Sequence, residues 1–320
     1  MEVELLTDYK NILTFTHNDV DGVLGGFIIK YLFDNNLEDS SWDMNVKTYC
    51  CSYGKTFNLA WFKQKTEEFI EEYQENIVVY MIDYAIQPNN EMIKFYNWCK
   101  EKDVEFHWID HHITAIENLK HFNIPGLQHS AHSGCLNTWN HLTDEEPPEI
   151  VKMISDFDIW NKCSKFSWEN ELFPIVYFIN SLGLDLNNNE NDLVKQLKLL
   201  FDNKETLGHC IDIGKFISRY VSSIHNQNLK KIYKIKWNDY DCLVLNTILP
   251  GATQFEKHPD YNDVDLCITW SFDGKYYYYG VYTTKSNIDV GYLCQQHFNG
   301  GGHKGCGGGQ LKELILNEKI

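Results

Sequence analysis

The chain alternates between short, densely apolar runs and longer amphipathic ones. Residues 11–16 (NILTFT), 76–83 (NIVVYMID) and 104–110 (VEFHWID) are rich in β-branched and aromatic side chains, and each run stops at a polar cluster. That length and composition predict buried strands. Between them, residues 22–33 (GVLGGFIIKYLF) and 89–102 (NNEMIKFYNWCKEK) have helical length and spacing. Strands alternating with helices predict a parallel α/β sheet. Residues 147–160 (PPEIVKMISDFDIW) begin with prolines suited to a helix N-terminus and continue as a helix. Residues 165–230 are mostly helical, interrupted by the polar loop DLNNNEND. After residue 231 the texture changes: YDCLVLNTI, VDLCITWSF and KYYYYGVYTT are strand-like, and FDGK between the last two reads as a hairpin turn. The run Tyr276 to Tyr279 fits a half-buried strand, whose alternate side chains face opposite sides. The expectation is an α/β protein: an N-terminal parallel-sheet domain over 1–163, a helical connector over 164–230, and a smaller C-terminal α/β domain over 231–320.

Three of the predicted strands end in chemistry. The first runs into His17, Asp19 and Asp21, the second into Asp83, the third into Asp110, His111 and His112. In an open α/β sheet, ligands bind outside the carboxyl ends of the strands. Any one of these residues alone is most simply a turn residue or helix cap. The same pattern at three strand ends instead predicts convergence, and aspartate with neutral histidine is an ordinary ligand set for a divalent ion. The helix after Gly22 would point its positive N-terminal end at the same edge. A second feature is GGGHKGCGGG at 300–309. It matches no phosphate-binding P-loop pattern. It reads either as a flexible loop or as a close backbone approach to phosphate, with Gly301 and Gly302 giving access and His303 and Lys304 supplying donors.

Composition narrows the partners. The 320 residues are 43% hydrophobic and 14% aromatic, which suits packed globular domains, roughly two by length. No run approaches the length of a membrane span, and the acidic N-terminal stretch has no signal-peptide pattern. Ten scattered cysteines without a CxxC pair predict reduced thiols in a cytoplasmic protein, not a thiolate zinc site. The formal charge is −17, and Arg219 is the one arginine. Long nucleic acid is held by basic surfaces, so a long polymeric partner is disfavoured, and bidentate guanidinium clamps on phosphate are almost absent.

THNDVDG, VVYMIDYAI, WIDHHITA, ISDFDIW and FNGGGHKGCGGG, in this order, resemble the motifs of the DHH phosphoesterase superfamily. That superfamily includes RecJ-type exonucleases, nano-RNases, cyclic-dinucleotide phosphodiesterases, family II pyrophosphatases and exopolyphosphatases. The resemblance covers residues 10–160 through four motifs and 270–310 through the glycine-rich one. It implies two divalent ions, Mn²⁺ in first place with Mg²⁺ or Co²⁺ as alternatives. His17, Asp19 and Asp83 would hold one ion; Asp21, Asp83, His111 and Asp156 would hold the other, with Asp83 bridging. His112 would face the substrate phosphate, and Asp110 would orient a ligand imidazole. Asp158 matches no ligand and is expected to be a cap or supporting residue. The glycine-rich loop would close over the site and select nucleotides. Where nucleotide-specific relatives carry a Ser-x-Arg-Ser-like stretch, this chain has VYTTKSNIDV, so Lys285 would stand in for the arginine as a point charge.

Two divalent ions can activate a water and neutralise charge in an in-line phosphoryl displacement. The expected function is therefore hydrolysis of phosphodiesters in short oligonucleotides or small nucleotides, cyclic ones included, with a homodimer also open. The alternatives are a pyrophosphatase or exopolyphosphatase, a single-strand exonuclease, and a binding module derived from the fold. A binding module would be free to lose ligands, and this chain keeps the full set.

Overall fold

The computed structural model describes residues 11–35, 45–53, 57–186 and 192–316. The acidic N-terminal stretch, expected not to be a signal peptide, and most of the DLNNNEND loop lie outside the described residues. Tertiary contacts divide the chain into two compact units that part between Ser218 and Arg219.

The first unit begins with β1 (Asn11–His17), α1 (Val20–Asn35), β2 (Asn45–Cys51), α2 (Leu59–Tyr73), β3 (Ile77–Ile82), α3 (Asn89–Glu101) and β4 (Glu105–Ile109). The strands form a four-stranded sheet, entirely parallel, in the order β2-β1-β3-β4. β3 is buried along its whole length and β1 nearly so, because helices cover both faces of a parallel sheet. The three sequence-predicted strands form as expected. β2 was not anticipated; its NVKTYCC is too polar to stand out, and only Thr48 and Cys51 of the strand are buried.

Then follow α4 (Ile113–Leu119), α5 (Gly134–Leu142), α6 (Glu149–Asp158), α7 (Phe173–Ser181), α8 (Asp192–Asp202) and α9 (Lys204–Asn228), within which the first unit ends. Ile12, Val78, Tyr80 and Ile82 of the sheet share one core with Leu24 and Ile28 of α1, Trp139 of α5 and Ile154 of α6. Ile175, Leu197 and Ile211 from the later helices join the same core.

The second unit contains β5 (Tyr233–Trp237), β6 (Tyr240–Asn246), β7 (Leu266–Phe272), β8 (Tyr277–Tyr282), α10 (Val290–His297), β9 (Gly301–Gly302) and β10 (Cys306–Leu311). Its sheet is mixed, ordered β5-β6-β7-β8-β10-β9, with β6 and β7 parallel and the other pairs antiparallel. The FDGK turn forms, with Asp273 Oδ1 accepting from the amides of Lys275 and Tyr276. The glycine-rich stretch is largely not a loop. It makes β9 and β10, and only residues 303–305 turn between them. Glycine is required by close packing: a Cβ on Gly300 would lie 1.8 Å from the Gly308 carbonyl oxygen, and one on Gly309 would lie 2.2 Å from that of Phe298. Among the described residues no helix is long and apolar enough to cross a membrane, and all ten cysteines are free thiols.

Candidate metal centre

The strand order places a topological switch between β1 and β3: the chain leaves β1 toward β2 on one side, then crosses to β3 on the other. Such a switch opens a crevice at the carboxyl ends of the strands. His17 ends β1 and Asp83 follows β3, one on each side of it. Asp83 takes a left-handed backbone, φ 55°, while its amide donates to the Ile109 carbonyl of β4. Aspartate is among the few non-glycine residues that adopt this conformation readily.

Asp83 sits at the centre. His17 Nδ1 lies 3.6 Å from Asp83 Oδ2 and 2.7 Å from Asp19 Oδ2. Asp19 also caps α1, its Oδ1 accepting from the Gly22 amide at 2.9 Å. Gly22 must be glycine here, since a Cβ would stand 2.5 Å from the His17 carbonyl oxygen. On the other side, His111 Nε2 lies 3.0 Å from Asp83 Oδ1 and 3.3 Å from Asp158 Oδ2. His112 Nδ1 lies 3.7 Å from Asp83 Oδ1 and 2.7 Å from Asp110 Oδ1. Asp110 Oδ1 also accepts from the amides of His111 and His112, so this buried carboxylate fixes the turn and the His112 ring. The expected orienting role of Asp110 thus falls on His112 and not on His111.

Within this unit, three groups of donor atoms lie within 4.8 Å of one another: His17, Asp19 and Asp83; Asp21, His111 and Asp158; and Asp83, Asp110 and His112. Asp158 therefore stands where Asp156 was expected. The two are two residues apart on α6, about 200° around a helix. Asp158 continues the buried face of Ile154 and Ser155, at i+4 and i+3. Asp156 turns away, accepting from Asn161 Nδ2 at 2.8 Å and Ser164 Oγ at 2.5 Å.

Residues 127–137, unremarked in the sequence, complete the site. Asp21 is held by the first amides of α5, Gly134 N at 2.6 Å and Cys135 N at 3.0 Å, a carboxylate on a helix N-terminus. Asn137 Nδ2 donates to the main-chain oxygens of Asp110 and His129. The only sequence signal was Ser133-Gly134 ahead of an apolar run, a weak helix start.

The electrostatics are those of crowded carboxylates. Burial and then Asp83 push Asp21 up to about 6, and burial and then Asp21 push Asp158 up as well. Burial also works against ionisation of Asp83, but the close imidazoles of His111 and His17 outweigh it and hold Asp83 low. Burial opposes charge on His111, yet Asp158 and Asp83 prevail and push it up to about 11. His17 rises against burial in the same way, mainly through Asp19. Asp83 Oδ1 and Asp158 Oδ2 are sealed from solvent without a well-aligned hydrogen bond, and one His111 N–H cannot satisfy both. A cation would satisfy both. The neighbouring Cys135 thiol is pushed up by burial and then by Asp21, so the donors are oxygen and imidazole, suited to Mn²⁺ or Mg²⁺ more than to a softer ion.

In the second unit, Lys285 Nζ donates to the Asn262 carbonyl and its amide to Thr283 Oγ1. The Thr283 amide in turn donates to the Gly305 carbonyl. The turn bearing His303 and Lys304 is fixed to the start of α10, where the amides of Gly291 and Val290 donate to the carbonyls of His303 and Lys304. Lys285 and the glycine-rich turn are thus joined through Thr283.

No family model matches the sequence, and no curated protein matches it. Solved structures do. The DHH domain of a protein described as a member of a family of ribosomal proteins matches with a TM-score of 0.56 and 12% identity, over 93% of this chain and 82% of that one. This is a DHH fold. Two further structures match with lower TM-scores. One is an exopolyphosphatase-related protein from Bacteroides fragilis, with TM-score 0.46, 14% identity and coverage of 98% and 90%. The other is RecJ from Thermus thermophilus in complex with Mg²⁺, with TM-score 0.45 and 13% identity; 98% of this chain spans 48% of RecJ, about half its length. Asp110, His111 and His112 all lie in the carboxylate–histidine cluster of this fold.

Proposed function

We propose that the chain is a metal-dependent phosphodiesterase of the DHH phosphoesterase superfamily, hydrolysing short oligonucleotides or small nucleotides. The observation that carries this reading is the gathering of Asp19, Asp21, Asp83 and Asp158 with His17, His111 and His112 at the switch point of a DHH fold. His17, Asp19 and Asp83 would hold one divalent ion, and Asp21, His111 and Asp158 a second, with Asp83 shared. Such a pair of ions supplies charge neutralisation and a water of lowered pKa for in-line attack at phosphorus. The chain's own residues prepare the site: Asp110 fixes the His112 ring through its Nδ1, and His112 would act on a substrate oxygen. Residues 1–163 are read as the catalytic domain, 164–230 as a connector, and 231–320 as a substrate-binding domain using Gly301, Gly302, His303, Lys304 and Lys285. The charge of −17 and the single arginine favour short substrates over long strands. The free thiols are in keeping with a cytoplasmic protein.

The test is a panel of a linear dinucleotide, a cyclic dinucleotide, a long single strand and pyrophosphate, each with Mn²⁺, with Mg²⁺ and with chelator. Metal-dependent turnover, fastest on a dinucleotide, is expected. Faster cleavage of pyrophosphate, or of the long strand, would replace this reading with a phosphoanhydride hydrolase or an exonuclease.

A further inference from the structure

Helix α6 delivers Asp158 to the cluster and then ends in an unusual way. The Asn161 amide donates to the Asp156 carbonyl at 2.8 Å, and the Trp160 amide to the Phe157 carbonyl at 3.1 Å. These are the paired bonds of a Schellman motif, and they put Trp160 at the left-handed position just past the helix cap, with φ 56°. That position is ordinarily glycine or asparagine. A bulky aromatic there is an outlier, and such outliers cluster at ligand sites. Trp160 is also 40% exposed, two residues from Asp158. Trp168 lies edge-on to it, ring centroids 4.4 Å apart, and is itself fixed by an Nε1 hydrogen bond to the Asn161 carbonyl. Lys162 places its ammonium 3.9 Å from the Trp160 ring centroid and 4.5 Å from that of Trp168. Phe157 and Phe173 also lie 6.4 Å from the Trp160 ring, centroid to centroid, yet the indole stays partly in water on a strained backbone.

We infer that Trp160, braced by Trp168 and accompanied by Lys162, is a stacking subsite for a nucleobase at the end of the helix that carries Asp158 into the carboxylate–histidine cluster. A base presents a π-face to the indole, and the attached phosphate attracts the lysine ammonium. This rests on the proposed phosphodiesterase reading and adds to it that the substrate carries a base. Inorganic pyrophosphate and polyphosphate would gain nothing from the indole.

The experiment compares wild type with Trp160→Ala and Trp160→Phe on a dinucleotide and on its abasic analogue, with Mn²⁺. Circular dichroism verifies that each variant is folded. Losing one stacked base should raise KM for the dinucleotide about tenfold in Trp160→Ala, with partial recovery in Trp160→Phe. The kcat should change little, and the abasic analogue should show no KM change. Equal effects on both substrates, or none on either, would overturn the subsite. If wild type hydrolyses neither, the phosphodiesterase reading fails while the subsite is still decided by binding. Adenosine monophosphate should quench tryptophan fluorescence in wild type with a midpoint about tenfold lower than in Trp160→Ala, and an unchanged midpoint would sink it.

Discussion

Asp156 and Asp158 are separated by one residue and by half a turn of helix, and that half turn decides what each can do. Asp158 faces His111, so Asp158→Asn should lower bound Mn²⁺ by more than the roughly 10–100-fold typical of a residue that merely supports a ligand. Asp156→Asn should leave metal content within a few-fold. It should instead lower stability by about 1–2 kcal/mol, since it weakens the bonds from Asn161 and Ser164. Elemental analysis and thermal melts of the two variants separate these roles, and the reverse pattern would restore Asp156 to the site. A second residue has a clear pH signature. Burial and then His107 push His141 down to about 4 from an ordinary 6.5. Its folded pKa is below its unfolded one, so the neutral ring is favoured by folding. The associated stability, about 3 kcal/mol, is present above pH 6.5 and is lost as pH falls toward 4. His141→Gln should flatten that part of the stability–pH curve relative to wild type. Parallel curves would mean that His141 titrates normally.

The N-terminus of α5 acts as a clamp on the two carboxylates that reach it. Gly134 donates to Asp21, and a Cβ added there would stand 2.5 Å from the Asp83 Cβ and 3.0 Å from Asp21 Oδ2. Gly134→Ala should therefore cost about 1–3 kcal/mol through overpacking and also weaken metal binding by displacing Asp83. Calorimetric titration of Mn²⁺ alongside a melt checks both effects. An alanine variant with wild-type affinity would show that α5 merely adjoins the site. The end of α6 gives an independent test of the backbone reading. Both Trp160→Gly and Trp160→Ala remove the indole, but the glycine variant should be the more stable by about 1 kcal/mol, because only glycine takes the left-handed conformation without strain.

The chain carries a net charge of −17 and still gathers five aspartates in one crevice of its first unit. Self-repulsion at such a point destabilises the folded state, and a bound cation offsets it by linkage. Mn²⁺ at about a hundredfold above its dissociation constant should stabilise the first unit by about 2.7 kcal/mol. The second unit has its own core of Val244, Ile268, Val281 and Phe298, so its unfolding should not respond. Hydrogen exchange with and without chelator reads the two units separately, and equal protection of both by Mn²⁺ would contradict this.

The strands that carry the chemistry could be read from the chain alone. β1, β3 and β4 were legible because a strand buried on both faces must be apolar throughout, and its first polar residue marks where it leaves the core. His17, Asp83 and Asp110–His112 followed directly. β2 was not legible, because most of it is only half-buried and its composition carries no signal. Other features waited for the packing of distant segments. The order β2-β1-β3-β4, which opens the crevice between His17 and Asp83, depends on pairings that no local pattern encodes. The partner of Asp21 is an amide 113 residues away, and local sequence is equally blind to that distance. The choice of Asp158 over Asp156 was partly written in the spacing of Ile150, Ile154 and Asp158, but it became definite only when α6 docked that face toward His111. The glycine-rich run shows the same division. Its composition signalled that backbones approach closely, while pairing with β8 decided that the approaching backbone is a strand.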